Sequence, residues 1–503
     1  MNHELLLSAI GLVFHPQNIL FVFAGAIGGV LIGCIPGLTS TMGIALLIPF
    51  TYGLSIVPSI GMLLGIFCGA MYGGSIAAIL INTPGTPAAA ATVLDGYPMG
   101  QKGEAGRALS IALFASFVGG IVGALIMTFL SPVVSRMALR FGPAEFFTLA
   151  VFGLSVIISI SGKSITKGLM SAFFGLILAS VGMDKVSGYL RFTKLMGLYD
   201  GMPFIPTLIG LFALSEVFNN IENILKTKRI KAKISGVLPS LRDIKAIAST
   251  IVKGSLIGTF IGAIPGAGGD IAAFVSYSEA KRASKHPEDF GTGVPEGVAA
   301  SECANNACSG GAMIPMLSLG VPGDSNTAVL MGAFILQGFQ PGPMMYVDHL
   351  NIVYAVFMSM ILANIAFLLV GMAGVRVFAH VISIERKLLI PAIMVLSLVG
   401  SFAINQNMFD VGLALLIGVV GYLLQKYGFP LSPILLALIL GPMSESNLRR
   451  FMQIDDGQFW KIFTKPICVI FIVLAIASLV TSVINARKAA RRLKGEQTVG
   501  KGD

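Results

Sequence analysis

Between Leu5 and Leu94 the chain runs for ninety residues without one Asp, Glu, Lys or Arg. A membrane-spanning helix needs only about 20 consecutive apolar residues, so several spans must be packed into this run. The rest of the 503 residues agrees. Hydrophobic residues make up 55% and charged residues only 12%, where a soluble domain carries roughly a quarter charged. A bilayer is the solvent such a chain requires. The expected fold class is all-α: a polytopic membrane protein of roughly 10 to 14 transmembrane or re-entrant helical elements. Sixty glycines fit this class, because helices in lipid associate through close backbone approach at small residues.

The net charge of +10 does not point to nucleic acid, because the basic residues cluster in short segments. Lys226, Lys228, Arg229, Lys231, Lys233, Arg242 and Lys245 form one cluster, and Arg487, Lys488, Arg491, Arg492 and Lys494 another. The positive-inside rule places both in the cytoplasm, with an even number of crossings between them. Cys34, Cys68, Cys303, Cys308 and Cys468 show no CxxC spacing and read as small buried hydrophobes. The five histidines are scattered, so no zinc site is expected. No basic n-region precedes the first apolar run, which argues against a cleaved signal peptide.

The most informative feature is internal. Gly33-Cys34-Ile35-Pro36-Gly37-Leu38-Thr39-Ser40 has a counterpart in Gly262-Ala263-Ile264-Pro265-Gly266-Ala267-Gly268-Gly269, 229 residues on. Met71-Tyr72-Gly73-Gly74 leads to Asn82-Thr83-Pro84-Gly85-Thr86-Pro87. Cys308-Ser309-Gly310-Gly311 likewise leads to Gly320-Val321-Pro322-Gly323-Asp324-Ser325, with an offset of 238 from Asn82 to Gly320. Four motifs in the same order argue for two structural repeats with Gly/Pro-broken helices. The expected organisation is a first membrane repeat over 1–222, a basic cytoplasmic linker over 223–249, a second membrane repeat over 250–486 and a basic cytoplasmic tail over 487–503.

Proline lacks the N–H that a helix interior needs and glycine tolerates unwound dihedrals, so each Pro-Gly pair should interrupt its helix. The freed backbone groups survive in a membrane only where protein buries them or a water-filled cavity meets them, so a break marks a site. Half-helix N-termini suit a carboxylate, and unwound carbonyls and hydroxyls suit Na⁺. Substrate contacts are expected from Thr39, Ser40, Asn82, Thr83, Gly85, Thr86, Asn305, Asn306, Gly323, Ser325 and Asn326. Coupling-ion contacts are expected from Gly37, Gly266, Asp270, Glu302 and Asp324. The competing reading is that the Ser, Thr and Asn residues simply cap the broken helices. A carboxylate at a helix centre costs about 2.5 to 3.5 kcal/mol on insertion scales, so Asp270, Glu302 and Asp324 need either a partner or a use.

The segments Gly33 to Ser40, Gly73 to Pro87 with Asp95-Gly96-Tyr97-Pro98, Ile264 to Lys285, and Glu296 to Gly323 resemble the large membrane subunit of the tripartite tricarboxylate transporters, the TctA-type protein. The resemblance extends over the whole chain. It implies a multi-pass bacterial inner-membrane protein that is not an enzyme and carries a tricarboxylate or related carboxylate. It also implies two partners, a small four-helix membrane subunit of the TctB type and a periplasmic solute-binding protein of the TctC type. No cofactor is implied, and an Na⁺ or H⁺ gradient would drive uptake. Asp324 departs from the small residue expected after the last Pro-Gly, and a negative charge there is awkward beside an anion site.

Two other classes compete. A carboxylate channel needs polar pore residues but no coupled ion. An intramembrane aspartyl protease would use Asp200 and Asp270, since two carboxylates sharing a proton can do that chemistry. Ala267, however, replaces the first glycine of the Gly-x-Gly-Asp pattern, and the breaks of the first half would have no purpose. Patterns for serine or zinc hydrolysis and for nucleotide binding are missing.

Overall fold

A computed structural model describes residues 3–160, 164–184, 187–222, 238–381 and 386–499. Lys226 to Lys233, on which the orientation argument rests, lie outside the described residues. The elements fall into two compact units, Met1–Leu139 with Phe204–Tyr422 and Arg140–Pro203 with Leu423–Asp503.

In chain order the first helices are α1 (His3–Val13), α2 (Pro16–Gly33), α3 (Ser40–Thr51), α4 (Ile56–Ile81), α5 (Ala90–Gln101) and α6 (Ala105–Ala138). Then come α7 (Pro143–Ile160), α8 (Ile165–Ala179) and a short antiparallel hairpin, β1 (Gly182–Met183) and β2 (Leu190–Arg191), with Gly182 opposite Arg191. α9 (Phe204–Leu208) and α10 (Ser215–Glu222) flank a π-helical turn at Ile209–Leu214. The later helices are α11 (Leu241–Gly262), α12 (Gly269–Ala283), α13 (Pro295–Leu319), α14 (Ser325–Leu336) and α15 (Met345–Asp348). The last five are α16 (Leu350–Val381), α17 (Arg386–Asn405), α18 (Met408–Lys426), α19 (Ser432–Ile454) and α20 (Pro466–Val499).

The protein is an all-α polytopic membrane protein, as expected. Among the described residues eight helices are long and apolar enough to cross a bilayer, and five shorter apolar helices accompany them. α13 is not among the eight because Glu302, Asn305 and Asn306 lower its hydropathy. It is nevertheless buried at nearly every position, so protein rather than lipid surrounds these polar groups.

Two helix pairs in the first unit pack by one device. A Cβ on Gly25, Gly29 or Gly33 of α2 would collide with the carbonyl of Met62, Ile66 or Ala70 on α4. At an offset of 229, Gly258 and Gly262 of α11 face the carbonyls of Ala304 and Cys308 on α13, at an offset of 238, while Gly254 meets the Cys303 and Ser276 side chains first. Gly73 of α4 returns the contact to Val30, and Gly311 of α13 returns it to Thr259. The backbones touch because no side chain intervenes, the packing mode that lipid favours. Substituting Gly258 by Ala should therefore separate α11 from α13 and destabilise the fold by about 1 to 3 kcal/mol. Gly412→Ala, where the space beside the backbone is open, should leave the thermal midpoint of the detergent-purified protein unchanged. Equal midpoints for the two variants would refute the packing argument.

Helices also exchange between the halves. The segment α9–α10 precedes the linker but packs on α17 and α18, where a Cβ on Gly210 would lie 2.7 Å from the Ala414 carbonyl oxygen. In the second unit α19, from near the end of the chain, packs on α7 and α8, where Gly175 lies against Ile434 and Ala437. The hairpin of that unit is tied to α19 by charge. Arg191 Nη1 is 2.7 Å from Glu445 Oε1, and Arg449 bridges Glu445 at 2.7 Å and Asp184 at 2.8 Å.

Candidate functional site

The four Gly/Pro motifs are helix breaks, and those of the two halves share local geometry. α2 ends at Gly33 and α11 at Gly262, each followed by a turn whose glycine has positive φ, Gly37 at 92° and Gly266 at 88°. Only glycine adopts this region without strain. α4 and α13 both end in a left-handed residue, Asn82 at φ 58° and Gly320 at φ 71°. Asn82 thus has a backbone task, helix termination, for which Asn is the usual substitute for Gly.

The breaks meet in a closed ring. A Cβ on Gly85 would strike the Gly33 carbonyl, which brings the second break onto the first. The Gly266 N–H donates to the Gly323 carbonyl at 2.6 Å, joining the third to the fourth. Ser40 Oγ and Thr41 Oγ1 each donate to Asn326 Oδ1 at 2.8 Å, joining the first to the fourth. At the remaining joint a Cβ on Gly269 would lie 3.4 Å from Ala88 Cβ, so the third break touches the second. α3, α12 and α14 all begin at this ring, and their N-terminal N–H groups give it partial positive charge.

The ring sorts the expected residues. Thr39 caps α3, accepting from the Met42 N–H at 3.1 Å, as the capping reading has it. Asp324 caps α14, accepting from the Thr327 N–H at 2.8 Å and from Asn326 Nδ2 at 3.0 Å. Its negative charge is met by these donors, which removes the awkwardness of an acid at this position. Ser325 opens α14 and is half-buried. Asn82 is exposed, and Thr83 Oγ1 turns back to the Ile81 carbonyl at 3.3 Å, so neither side chain joins the other polar groups of the ring.

Thr86, Asn305 and Asn306 are buried, and each has an oxygen without a hydrogen-bond partner: Thr86 Oγ1, Asn305 Oδ1 and Asn306 Oδ1. Asn306 Nδ2 donates to the carbonyl of Glu302 at 3.2 Å. Asp270 lies half-buried in the first turn of α12.

Glu302 is fully buried one turn before Asn305 and Asn306. Thr92 Oγ1 on α5 donates to its Oε1 at 2.5 Å and Ser116 Oγ on α6 to its Oε2 at 2.8 Å. Among the described residues no Lys, Arg or His pairs with it, so two hydroxyls are its whole compensation. Sequence reasoning missed Thr92 and Ser116, whose types are ordinary in a membrane helix. It also gave no role to Asp95, the first charge after the ninety-residue run. Asp95 Oδ1 accepts from the N–H groups of Gly291, Gly293 and Val294 at 2.8 to 2.9 Å, and Oδ2 accepts from Tyr277 Oη at 2.9 Å. This carboxylate holds the loop before α13 against α5.

Asp200 is exposed in the turn after Met196–Leu198 rather than buried on a spanning helix, which deprives the protease reading of its second buried carboxylate.

The model of the Tripartite tricarboxylate transporter TctA family matches residues 19–436. A protein of Agrobacterium vitis named "Uncharacterized 52.8 kDa protein in TAR-I ttuC' 3'region" is 38% identical over 477 residues, 95% of each chain. A second Agrobacterium vitis protein, "Uncharacterized protein in TAR-II ttuC' 3'region", is 35% identical over 234 residues, 46% of this chain and 97% of its own length. No solved structure matches. With all four helix breaks inside the matched residues, this multi-pass membrane protein belongs to the tripartite tricarboxylate transporter TctA family.

Proposed function

We propose that the chain is the large permease subunit of a binding-protein-dependent secondary transporter. It takes up a tricarboxylate or related carboxylate across the bacterial inner membrane, using an Na⁺ or H⁺ gradient. The observation that carries this reading is the closed ring of four helix breaks. Three half-helix N-termini, the Ser40 and Thr41 hydroxyls and several buried unpartnered oxygens lie in it, in a protein otherwise built of apolar helices. Such termini replace the water around a carboxylate. The two halves are proposed to be structural repeats, supported by the matching offsets of their glycine contacts. A small four-helix membrane subunit and a periplasmic solute-binding protein complete the system.

The test is uptake of radiolabelled di- and tricarboxylates into proteoliposomes holding the chain and its membrane partner. Accumulation is expected only with the binding protein and an imposed ion gradient. Downhill flux that ignores the gradient would replace the carrier reading by a channel.

A further inference from the structure

The helix pair α11–α12 carries polar residues that its counterpart α2–α3 does not. At the offsets of 229 and 238, Thr250, Lys253, Ser276, Glu279 and Glu296 stand where the first half has Phe21, Ala24, Leu47, Phe50 and Pro58. The five polar residues line one pocket of about 180 Å³ between α11, α12 and the first turn of α13. Helices that pack with apolar residues at these places in one half have no need of polar ones in the other, so packing does not account for the set. Within it Arg282 Nη2 pairs with Glu279 Oε2 at 2.7 Å, at the outer end of α12. The side chains of Lys253 and Glu296 have no ion-pair or hydrogen-bond partner among the described residues, although both face the same pocket. Ser276 is 2% exposed and its hydroxyl is likewise unpartnered among the described residues.

The charges lie at one depth. Lys253 is nine residues before the end of α11, Glu279 ten after the start of α12 and Glu296 nine before Asn305 of α13. At about 1.5 Å of rise per residue, each stands about 13 to 15 Å along its helix from the ring of breaks. A hydrocarbon core is about 30 Å thick, so a ring near mid-membrane puts all three at the headgroup boundary. Through Lys253, Ile257 and Glu279 the pocket continues into a groove of about 660 Å³ lined by Leu256, Phe274 and Val275, all three exposed. Val252, Leu256 and Phe260, four residues apart, extend an exposed apolar stripe along α11 from the level of Lys253 toward the ring. A polar, charged pocket at headgroup level thus opens into an apolar groove beside a stripe that runs inward.

We propose that this pocket and groove bind one phospholipid with a zwitterionic primary-amine headgroup, phosphatidylethanolamine. Its phosphate lies on Lys253 with the Ser276 hydroxyl, its ammonium meets Glu296 and Glu279, and an acyl chain follows Leu256 and Phe274. Charge selects the headgroup. Lys253 and Arg282 are balanced by Glu279 and Glu296, so a neutral zwitterion fits where an anionic lipid would bring a further negative charge beside two carboxylates. A quaternary ammonium has no N–H to donate to them. Arg242, Lys245 and Lys281 lie at the same end of α11–α12, which by the positive-inside rule takes the lipid from the cytoplasmic leaflet. The site does not depend on what the ring of breaks carries.

The experiment adds dioleoyl phosphatidylethanolamine, phosphatidylcholine or phosphatidylglycerol to the delipidated full-length chain in detergent and counts bound lipid by native mass spectrometry. One phosphatidylethanolamine per chain is expected to be retained in preference to the other two, and to raise the thermal midpoint where they do not. Lys253→Met and Glu296→Gln should each weaken that binding by about fivefold or more. Lys253→Arg, which keeps the charge, should retain it, as should Lys285→Met, whose exposed side chain lies outside the pocket. Lys253 is exposed, so its pair of variants keeps the test open if Glu296→Gln does not fold. Equal or tighter binding of either other lipid overturns the headgroup assignment, and no retained lipid, or retention untouched by Lys253→Met, overturns the site. Protection of Leu256→Cys from a thiol reagent by the small membrane subunit, but not by phosphatidylethanolamine, gives the groove to a protein and overturns it as well.

Discussion

Replacing Asn326 by Ala is expected to lower carboxylate uptake by about tenfold or more at equal amounts of folded protein. Its amide closes the ring, with Oδ1 accepting from Ser40 and Thr41 at 2.8 Å each and Nδ2 donating to Asp324 at 3.0 Å. Truncation leaves two buried hydroxyls without their acceptor and the Asp324 carboxylate short of one donor. Each such loss costs about 1 to 3 kcal/mol, and a displacement worth about 1.4 kcal/mol is already tenfold in a rate. Ser40→Ala removes one of three bonds and should fall between Asn326→Ala and wild type. Initial rates in proteoliposomes containing the partner proteins decide it. Uptake by Asn326→Ala within about twofold of wild type would mean that the contact between first and fourth breaks plays no part in transport.

The second large effect concerns stability. Asp95→Ala removes one acceptor from three backbone N–H groups and from the Tyr277 hydroxyl at once. The donors belong to the loop that enters α13, the helix carrying Glu302, Asn305 and Asn306, so the loss should spread from the loop into the site. Hydrogen bonds to a charged group contribute about 1.5 to 3 kcal/mol each, and losing several together ranks among the severe single substitutions. The expected result is a fall of several degrees in the thermal midpoint or loss of the monodisperse protein from size-exclusion chromatography. Asp95→Asn keeps one acceptor oxygen and should be milder. A midpoint for Asp95→Ala equal to that of wild type would remove the latch from the account.

The helix breaks were legible because they depend on residue chemistry alone. Proline and positive-φ glycine interrupt a helix wherever they stand, and Gly37 and Gly266 do so with φ within a few degrees of each other. The capping role of Asp324 was also open to local reading, since Asp three residues before Thr is a capping pattern. What sequence could not supply was the partner of each polar group. Asn326 meets Ser40 across 286 positions, and Glu302 meets Thr92 across 210, distances over which no periodicity carries information. Asn82 carries two readings at once. A left-handed helix end and a ligand amide call for the same residue type, and only the backbone angle separates them.

The exchange of helices between the halves bears on how the chain is made. α7 and α8 leave the ribosome early, yet the helix they pack on, α19, follows roughly 270 residues after α7. At synthesis rates of about 5 to 20 residues per second, that partner arrives on the order of ten seconds to a minute later. The small-residue face of α8, with Gly175 made to receive Ile434, stands uncovered throughout that interval. Assembly of the second unit is therefore a late event governed by the last fifth of the chain, and truncation before α19 should leave α7 and α8 inserted but open to misassembly and proteolysis.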